Sequence, residues 1–212
     1  MGQGVKTIIY VDGFNLYYGA VKGTLYKWLD ILKLCQFLLP KNQIIKIKYF
    51  TALVTARPKD PDQPNRQLLF LRALRTLPNF EIIYGHFLEH EVRMHLAYPP
   101  QNGPQTALVL KTEEKGSDVN LASHMVNDGY KGLYQVAVII SNDSDLVEPI
   151  RIVRKDLNLP VGVLNPILNY PSHELQKFAS FVKPIRKGVL SVSQFPPQMQ
   201  DTAGVFYKPP TW

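Results

Sequence analysis

Apolar runs alternate with amphipathic segments along most of this chain. Residues 8–11 and 136–140 are uninterrupted apolar runs rich in β-branched residues, typical of strands covered on both faces of a parallel sheet. Strands are predicted over residues 5–11, 43–54, 81–88, 134–141 and 159–164. Helices are predicted over residues 28–39, 65–76, 117–128, 145–156 and 172–178. This alternation, without an internal repeat, predicts a three-layer α/β fold with a mainly parallel central sheet.

Two segments do not fit the alternation. Residues 89–106 contain Pro99, Pro100 and Pro104, which exclude a helix or an inner strand there, so we expect an exposed irregular excursion at the rim of the site. The residues after 188 are rich in proline and end in Trp212, and we expect an extended or mobile arm. Because such arms often serve dimers, a homodimer is a further expectation.

Composition narrows the class of protein. The 212 residues are 45% apolar, which suits one globular α/β domain. No run of 18 apolar residues occurs, so no membrane span is expected, and the first residues do not resemble a signal peptide. A cytoplasmic location follows as the default. Cys35 is the only cysteine, which excludes an internal disulfide and predicts a buried structural thiol.

Net charge adds a weaker indication. The formal charge is +7 at pH 7, which favours the approach of a polyanion such as RNA. Three basic residues near the predicted site are candidates for phosphate contacts: Lys111, Lys115 and Arg93. Their alternative role is that of solvated surface charges.

Acidic residues stand where predicted strands end or helices begin. Asp12 and Asn15 follow the first strand, Asp143 and Asp145 follow the buried strand near residue 140, and Asp118 opens a helix. Ligands of open α/β sheets bind outside the carboxyl ends of the strands, where the strand order reverses, so these side chains are expected in one crevice. Helix capping is the alternative explanation for each acid alone.

Charge repulsion favours a metal site over a purely structural one. Two carboxylates about 5 Å apart repel by roughly 3 kcal/mol at an effective dielectric constant of about 20. Protons or a divalent cation must offset this repulsion. Because the acids stand at helix N-termini, we expect their pKa values to be lowered, which favours Mg²⁺ or Mn²⁺ over protons.

Three ordered motifs resemble the NYN domain family, close to its LabA-like branch, whose members are relatives of PIN-domain ribonucleases. The motifs are Tyr10-Val11-Asp12-Gly13-Phe14-Asn15, Lys115-Gly116-Ser117-Asp118-Val119-Asn120-Leu121-Ala122 and Ile140-Ser141-Asn142-Asp143-Ser144-Asp145-Leu146. The resemblance implies an NYN/PIN-like domain over residues 1–188, followed by the proline-rich C-terminal arm over residues 189–212.

The resemblance also implies a mechanism. Asp12, Asp118 and Asp143 would hold one or two Mg²⁺ or Mn²⁺ ions, directly or through water, with Asp145 beside them. Asn15 would orient the scissile phosphate or the attacking water. The expected activity is hydrolysis of RNA by a metal-activated water.

Two positions depart from the family pattern. Asn142 stands where many relatives have glycine, and His124 stands in the region where many have a further acid after Asp118. His124 therefore supports an alternative, an RNA-binding regulatory module with weak or no catalysis. Another alternative is an enzyme acting on a small aromatic substrate. Four aromatic side chains that cluster near Asp12 could stack on unpaired bases, although core packing explains most of them: Tyr10, Phe14, Tyr17 and Tyr18.

Overall fold

The computed structural model describes residues 4–210 and residue 212. Its centre is a six-stranded sheet in the order β3-β2-β1-β6-β7-β8, with every neighbouring pair parallel. The six strands are β1 (Val5–Asp12), β2 (Asn42–Thr51), β3 (Phe80–Tyr84), β6 (Val136–Ile140), β7 (Val161–Asn165) and β8 (Phe181–Pro184). Two antiparallel hairpins lie outside the sheet: β4 (His86–His95) with β5 (Thr106–Lys115), and β9 (Gln198–Asp201) with β10 (Gly204–Tyr207).

Helices connect the strands. They are α1 (Gly13–Leu16), α2 (Ile31–Leu38), α3 (Gln63–Arg75), α4 (Ser117–Tyr130), α5 (Val147–Lys155), α6 (His173–Phe178) and α7 (Lys187–Val192). A π-helical turn, Tyr17–Val21, extends α1, and one 3₁₀ turn, Ser144–Leu146, precedes α5.

The sheet separates two apolar cores, because successive strand residues point to opposite faces. Ile9 and Val11 of β1 pack with α2, α3 and α7, whereas Ile8 and Tyr10 pack with α4, α5 and α6. Tyr10, Trp28, Ile139 and Ile140 are all completely buried. The predicted three-layer α/β fold with a parallel central sheet is thereby confirmed.

Strand order places the switch point of the sheet between β1 and β6. The chain runs outward from β1 through β2 to β3, then returns to build the other half of the sheet from β6. The loops after β1 and β6 therefore diverge on opposite faces and leave a crevice between them.

The expected excursion at residues 89–106 is instead part of a hairpin. The strand predicted over residues 81–88 ends at Tyr84, and Gly85 separates it from β4. A Cβ atom on Gly85 would lie 2.5 Å from the Oε1 atom of Glu114 and from the carbonyl oxygen of Lys115, so only glycine fits this junction. The prolines that suggested irregularity occupy the tip between β4 and β5.

The tail after residue 188 is not an extended arm. The boundary falls inside α7, and β9 and β10 follow as a short hairpin. The indole nitrogen of Trp28 donates a 2.9 Å hydrogen bond to the carbonyl of Pro196, and the Trp212 ring packs 5.4 Å from that of Phe70. The tail therefore completes the core beneath α2 and α3.

Cys35 is completely buried in α2, as predicted for a structural thiol. Among the helices of residues 4–210, none is long and apolar enough to cross a bilayer.

Candidate functional site

Asp12 ends β1 and caps α1. Its Oδ1 accepts a 2.9 Å hydrogen bond from the backbone N–H of Asn15, and its Oδ2 accepts one of 3.0 Å from the Ser141 hydroxyl. The carboxylate is only 5% exposed. Asp12 is therefore held in one orientation by both loops at the switch point.

Asn15 joins the same two loops. Its side-chain oxygen accepts a 2.9 Å hydrogen bond from the backbone N–H of Asn142. Its amide NH₂ has no hydrogen-bond partner within residues 4–210 and lines the crevice as a free donor. A donor in this position suits a phosphate oxygen better than a cation.

Asn142 organises the loop after β6. Its Oδ1 accepts hydrogen bonds from the Asn165 side chain at 2.8 Å and from the Ser172 backbone at 2.7 Å, and its NH₂ donates to the Tyr170 carbonyl at 2.9 Å. Glycine could make none of these contacts. The departure from the family pattern at position 142 thus stabilises the loop between β7 and α6, and does not place a new group in the crevice.

Asp143 and Asp145 have different positions. Asp143 lines the crevice, and its Oδ1 accepts a 2.9 Å hydrogen bond from the backbone N–H of Asp145. The Asp145 side chain is exposed and is not part of the crevice lining. Its charge nevertheless contributes to raising the pKa of Asp118.

The N-terminus of α4 contributes two acids. Gly116 is the N-cap with φ 96°, a left-handed conformation, and Ser117 is the first helical residue. Glu114 takes the capping role, because its Oε1 accepts hydrogen bonds from the Ser117 hydroxyl at 2.8 Å and the Ser117 backbone at 3.2 Å. Asp118, one residue further, faces the crevice.

A crevice of about 290 Å³ brings these groups together. It is lined by Asp12, Phe14, Asn15, Tyr18, Gly19, Glu114, Asp118, Asp143 and Ile167. Four of the nine lining residues are acids, contributed by the ends of β1 and β5, the start of α4 and the loop after β6. Glu114 was not among the predicted site residues.

The alternation of side-chain direction along β5 is the sequence signal that could have identified Glu114 as a site residue. Successive strand residues face opposite sides, so the neighbours Glu113 and Glu114 cannot both face the crevice. Glu113 pairs with Lys111 at 2.7 Å and with Lys115 at 3.3 Å, whereas Glu114 faces the crevice. Predicting a strand over residues 106–115 would have placed Glu113 and Glu114 on opposite faces.

The pKa values of Asp12 and Asp118 are raised, contrary to the expected lowering. Burial raises the pKa of Asp12 to about 6, and the charges of Asp118 and Asp143 add to that shift. Burial also raises the pKa of Asp118, with contributions from Asp143, Glu114 and Asp145. Desolvation and mutual repulsion outweigh the hydrogen bonds to Asp12, and α1 has only four residues with which to build a dipole.

The donor set suits a hard divalent cation. None of the four acids forms an ion pair within residues 4–210, so the crevice carries uncompensated negative charge. In the same part of the chain, no three Asp, Glu, His or Cys side chains form a ready-made metal cluster. Mg²⁺ commonly keeps several waters and takes only one or two carboxylates, so the crevice fits a hydrated ion better than a fully caged one.

The predicted basic contacts lie outside the crevice lining. Lys111 and Lys115 pair with Glu113 on the opposite face of β5, and Lys115 stands at the base of the hairpin. Arg93 pairs with Leu108, seven residues further along β5, which corresponds to roughly 24 Å at about 3.4 Å per residue. Contact between Arg93 and a phosphate in the crevice would need a substrate that extends along the hairpin, and that contact stays a prediction.

His124 does not stand in for a crevice acid. Its Nδ1 lies 3.1 Å from the Nζ of Lys48, which bonds Asp128 at 2.6 Å, and Tyr10 donates a 2.8 Å hydrogen bond to the same carboxylate oxygen. This buried network joins α4 to β1 and β2. The histidine packs against Lys48 and does not itself lie in the crevice, and the expected effect of the missing acid on activity stays a prediction.

An apolar pocket adjoins the crevice on the α2–α3 side of the sheet. Six of its sixteen lining residues are aromatic: Phe14, Tyr17, Tyr18, Tyr49, Phe70 and Trp212. Phe14 and Tyr18 line both spaces. We call this space the aromatic pocket.

Comparison with solved structures supports the fold. A protein of unknown function, VPA0982 from Vibrio parahaemolyticus RIMD 2210633, superposes with a TM-score of 0.57 over 88% of this chain and 96% of its own, at 16% identity. At that identity the likeness concerns the architecture alone.

Comparison with curated proteins finds a relative with a named activity. The chain is 31% identical over 220 residues to 6-hydroxy-3-succinoylpyridine 3-monooxygenase HspA of Pseudomonas putida (strain DSM 28022 / S16). The match covers 91% of this chain and 70% of the relative.

Comparison with protein families identifies the chain. The model of the NYN domain matches residues 6–183, which include all three acidic motifs and all but the two outermost residues of the central sheet. Membership of the LabA-like branch stays a prediction. By the extent of this match and the parallel sheet that carries it, the chain belongs to the NYN domain family.

Proposed function

We propose that this protein hydrolyses phosphodiester bonds of RNA with the help of a Mg²⁺ or Mn²⁺ ion held in the crevice. The observation that carries the proposal is the convergence of Asp12, Glu114, Asp118 and Asp143 without a basic partner in the described chain. Membership of the NYN family, which is generally nuclease-like, supports it. The net charge of +7 favours the approach of a polyanion despite the acids.

Different residues would hold the metal ion and orient the phosphate. Asp118 and Asp143 are the accessible candidate ligands, and Asp12 is the buried one, fixed by Asn15 and Ser141. A bound divalent ion would lower the pKa of a coordinated water and stabilise charge on the phosphate oxygens. Asn15 would donate its free amide hydrogens to a phosphate oxygen, because its carbonyl oxygen is already taken by Asn142.

Replacing Asp143 with Asn tests the proposal. The change keeps the shape of the side chain but removes one negative charge from the crevice, so Mn²⁺-dependent cleavage of a labelled RNA is expected to fall more than about 100-fold. Asp156→Asn is the matched control, because Asp156 is exposed at the end of α5, outside the crevice. Cleavage by Asp143→Asn at the wild-type rate, with circular dichroism unchanged, would reject the assignment.

The alternative function is a non-catalytic RNA-binding module. It rests on His124, which stands where many relatives carry an acid and which packs against Lys48 and Phe50 away from the acids of the crevice. RNA binding that is indifferent to EDTA, with no cleavage by the wild-type chain in Mn²⁺, would support it.

A second candidate function is oxidation of a small aromatic ring. Two observations favour it: the aromatic pocket beside the acids, and the relative named as a monooxygenase of a substituted pyridine. Such a reaction inserts one atom of dioxygen into the ring and reduces the other to water with two electrons from a donor. Incubation with 6-hydroxy-3-succinoylpyridine, dioxygen and reduced nicotinamide, followed by mass spectrometry, tests it. Absence of an oxygenated product would reject this candidate.

A further inference from the structure

We infer that the aromatic pocket binds one flat heteroaromatic ring, the base of a nucleotide or a free ring, beside the acidic crevice. The inference extends the proposed function by naming the chemical group held next to the acids. Its test measures binding, so it does not depend on turnover.

The size of the pocket limits its occupant. Its free volume is about 80 Å³. At roughly 10–15 Å³ for each water-sized group, it holds about five to eight such groups. That number matches a single six-membered ring with one or two substituents. A pyrimidine base or a pyridine fits this limit.

The walls suit a flat π-system. Tyr17 of the π-helical turn and Phe70 of α3 both line the pocket, and the Trp212 ring lies 5.4 Å from that of Phe70. Aromatic side chains can stack on any of the nucleic-acid bases, and each such stack contributes measurably to binding. Leu16, Val21 and Leu29 supply apolar lining.

Two hydroxyls supply the polar contacts that a heteroaromatic ring needs. Tyr49 and Thr51 lie two residues apart on the same face of β2 and are 5% and 2% exposed. Neither side-chain oxygen has a hydrogen-bond partner within the described residues, and neither is sealed from solvent, unlike the unpartnered Ser193 Oγ and Gln194 Oε1. Because both residues line the pocket, their hydroxyls are free to bond a ring nitrogen or carbonyl atom of a ligand.

Tyr49 also fixes the distance between the pocket and the acids. A Cβ atom on Gly13 would lie 2.7 Å from its hydroxyl oxygen, so that oxygen contacts the residue directly after Asp12. Burial and the charge of Asp12 both raise the pKa of Tyr49, which keeps the hydroxyl protonated as a donor. A ring bonded to Tyr49 would therefore place its substituent at the mouth of the crevice, past Phe14 and Tyr18.

Lys27 and Arg66 are the basic residues that line the pocket. Arg66 is ion-paired with Asp60 at 2.5 Å and with Asp62 at 3.5 Å, so most of its charge is compensated. Burial raises the pKa of Tyr17, and the charge of Arg66 offsets part of that rise. Lys27 is therefore the better candidate to contact an anionic group on the ring, such as a nucleotide phosphate or a ring carboxylate.

Ligand-observed NMR on the full-length chain in EDTA tests the inference with three probes. They are uridine 5′-monophosphate, 2-hydroxypyridine and ribose 5-phosphate, which lacks a ring base. For a ring of about eight non-hydrogen atoms we expect a Kd on the order of 1 mM, and no binding of ribose 5-phosphate. Tighter binding of the nucleotide assigns the pocket to a base of RNA, and tighter binding of the pyridine assigns it to a free ring.

Variants locate the binding. Tyr49→Phe and Thr51→Val each remove one hydroxyl and keep the side-chain shape, so each should weaken ring binding about tenfold. Val54→Trp fills the rim and should abolish it. Tyr130→Phe is the matched control, because that residue is 63% exposed on α4, across the sheet. The inference is overturned if neither ring compound binds, or if the pocket variants bind like the wild type.

Different results would contradict the proposed RNA cleavage and the proposed ring binding. Ring binding by both the wild type and Asp143→Asn, without RNA cleavage by either, contradicts the nuclease and leaves the pocket intact. RNA cleavage by a chain that binds no ring contradicts the pocket alone.

Discussion

At the scale of single residues, one buried hydrogen bond or one charge decides the role of each polar group. Asp12 is clamped by Ser141 and Asn15 and desolvated by the strands around it, which raises its pKa to about 6. Asn142 looks like a departure from the family pattern, yet its three hydrogen bonds explain it. The residue types at positions 12 and 142 did not by themselves reveal these roles, because each role depends on neighbours that are distant in sequence.

The raised pKa of Asp12 predicts a pH-dependent stability. The folded-state pKa of about 6 exceeds the ordinary aspartate pKa of 3.8, so the folded protein binds the proton more tightly than the unfolded chain. Stability from this group is present below pH 3.8 and is lost as the pH rises to about 6. The loss is about 3 kcal/mol, since each pKa unit corresponds to about 1.4 kcal/mol.

Urea denaturation in EDTA measures this effect. The free energy of unfolding of Asp12→Asn, relative to wild type, should increase by about 3 kcal/mol between pH 4 and pH 8, because the amide never ionises. Asp156→Asn should show no such trend. A pH-independent difference between wild type and Asp12→Asn would show that burial does not disfavour the Asp12 charge.

At the scale of elements, the β4–β5 hairpin stands apart from the sheet. Its two ten-residue strands pair only with each other, and most of its side chains are exposed or half-buried. Only its base is anchored, where the Phe87 ring lies 5.7 Å from that of Phe14 and Glu114 caps α4. The outer part of the hairpin therefore contributes little to the stability of the domain.

Shortening the hairpin tests this independence. Replacement of residues 92–109 by Asn-Gly keeps the opposed pair Glu91 and Leu110 and closes the strands with a favoured two-residue turn. The melting temperature should change by less than about 4 °C, since about 1 kcal/mol shifts a domain of this size by that amount. Cleavage of a short RNA should persist because Glu114 and Asp118 stay in place.

A loss of cooperative unfolding in the shortened chain would mean that the outer hairpin supports the fold. Unchanged folding with weaker binding of long RNA, but not of short RNA, would confirm the predicted contact of Arg93.

At the scale of the whole molecule, the C-terminal segment closes the core on one face of the sheet. Arg72 of α3 donates two 2.7 Å hydrogen bonds to Asp201, which lowers the pKa of that carboxylate to about 2. The same guanidinium lies 4.3 Å from the centre of the Phe206 ring. The segment from β9 to Trp212 is therefore joined to α3 and, through Trp212, to the aromatic pocket.

Phe206→Ala should destabilise the whole domain. The ring is 4% exposed in the core, and its removal should lower the free energy of unfolding by about 3 kcal/mol or more. Tyr207→Ala, one residue further and 61% exposed, is the matched control and should change it by less than about 0.5 kcal/mol. Equal effects of the two substitutions would contradict a structural role for the C-terminal segment.

The sequence by itself determined five of the six strands of the central sheet and the position of its acids, whereas the short edge strand β8 was not predicted. Strands buried on both faces must be continuously apolar, and parallel strands place their carboxyl ends on one edge, so residues 8–12 and 136–143 carried this information locally. The helices between them were equally visible from their spacing.

The tertiary structure alone decided the remaining features. The hairpin has no buried face and thus no hydrophobic period to detect. Glu114 faces the crevice and Glu113 does not, because their side chains point in opposite directions. His124 lies outside the crevice for the same reason. The C-terminal segment packs because Trp28, Phe70 and Arg72 are folded elsewhere to receive it. The rise of the Asp12 pKa required burial and repulsion between acids that are distant in sequence, which no local pattern encodes.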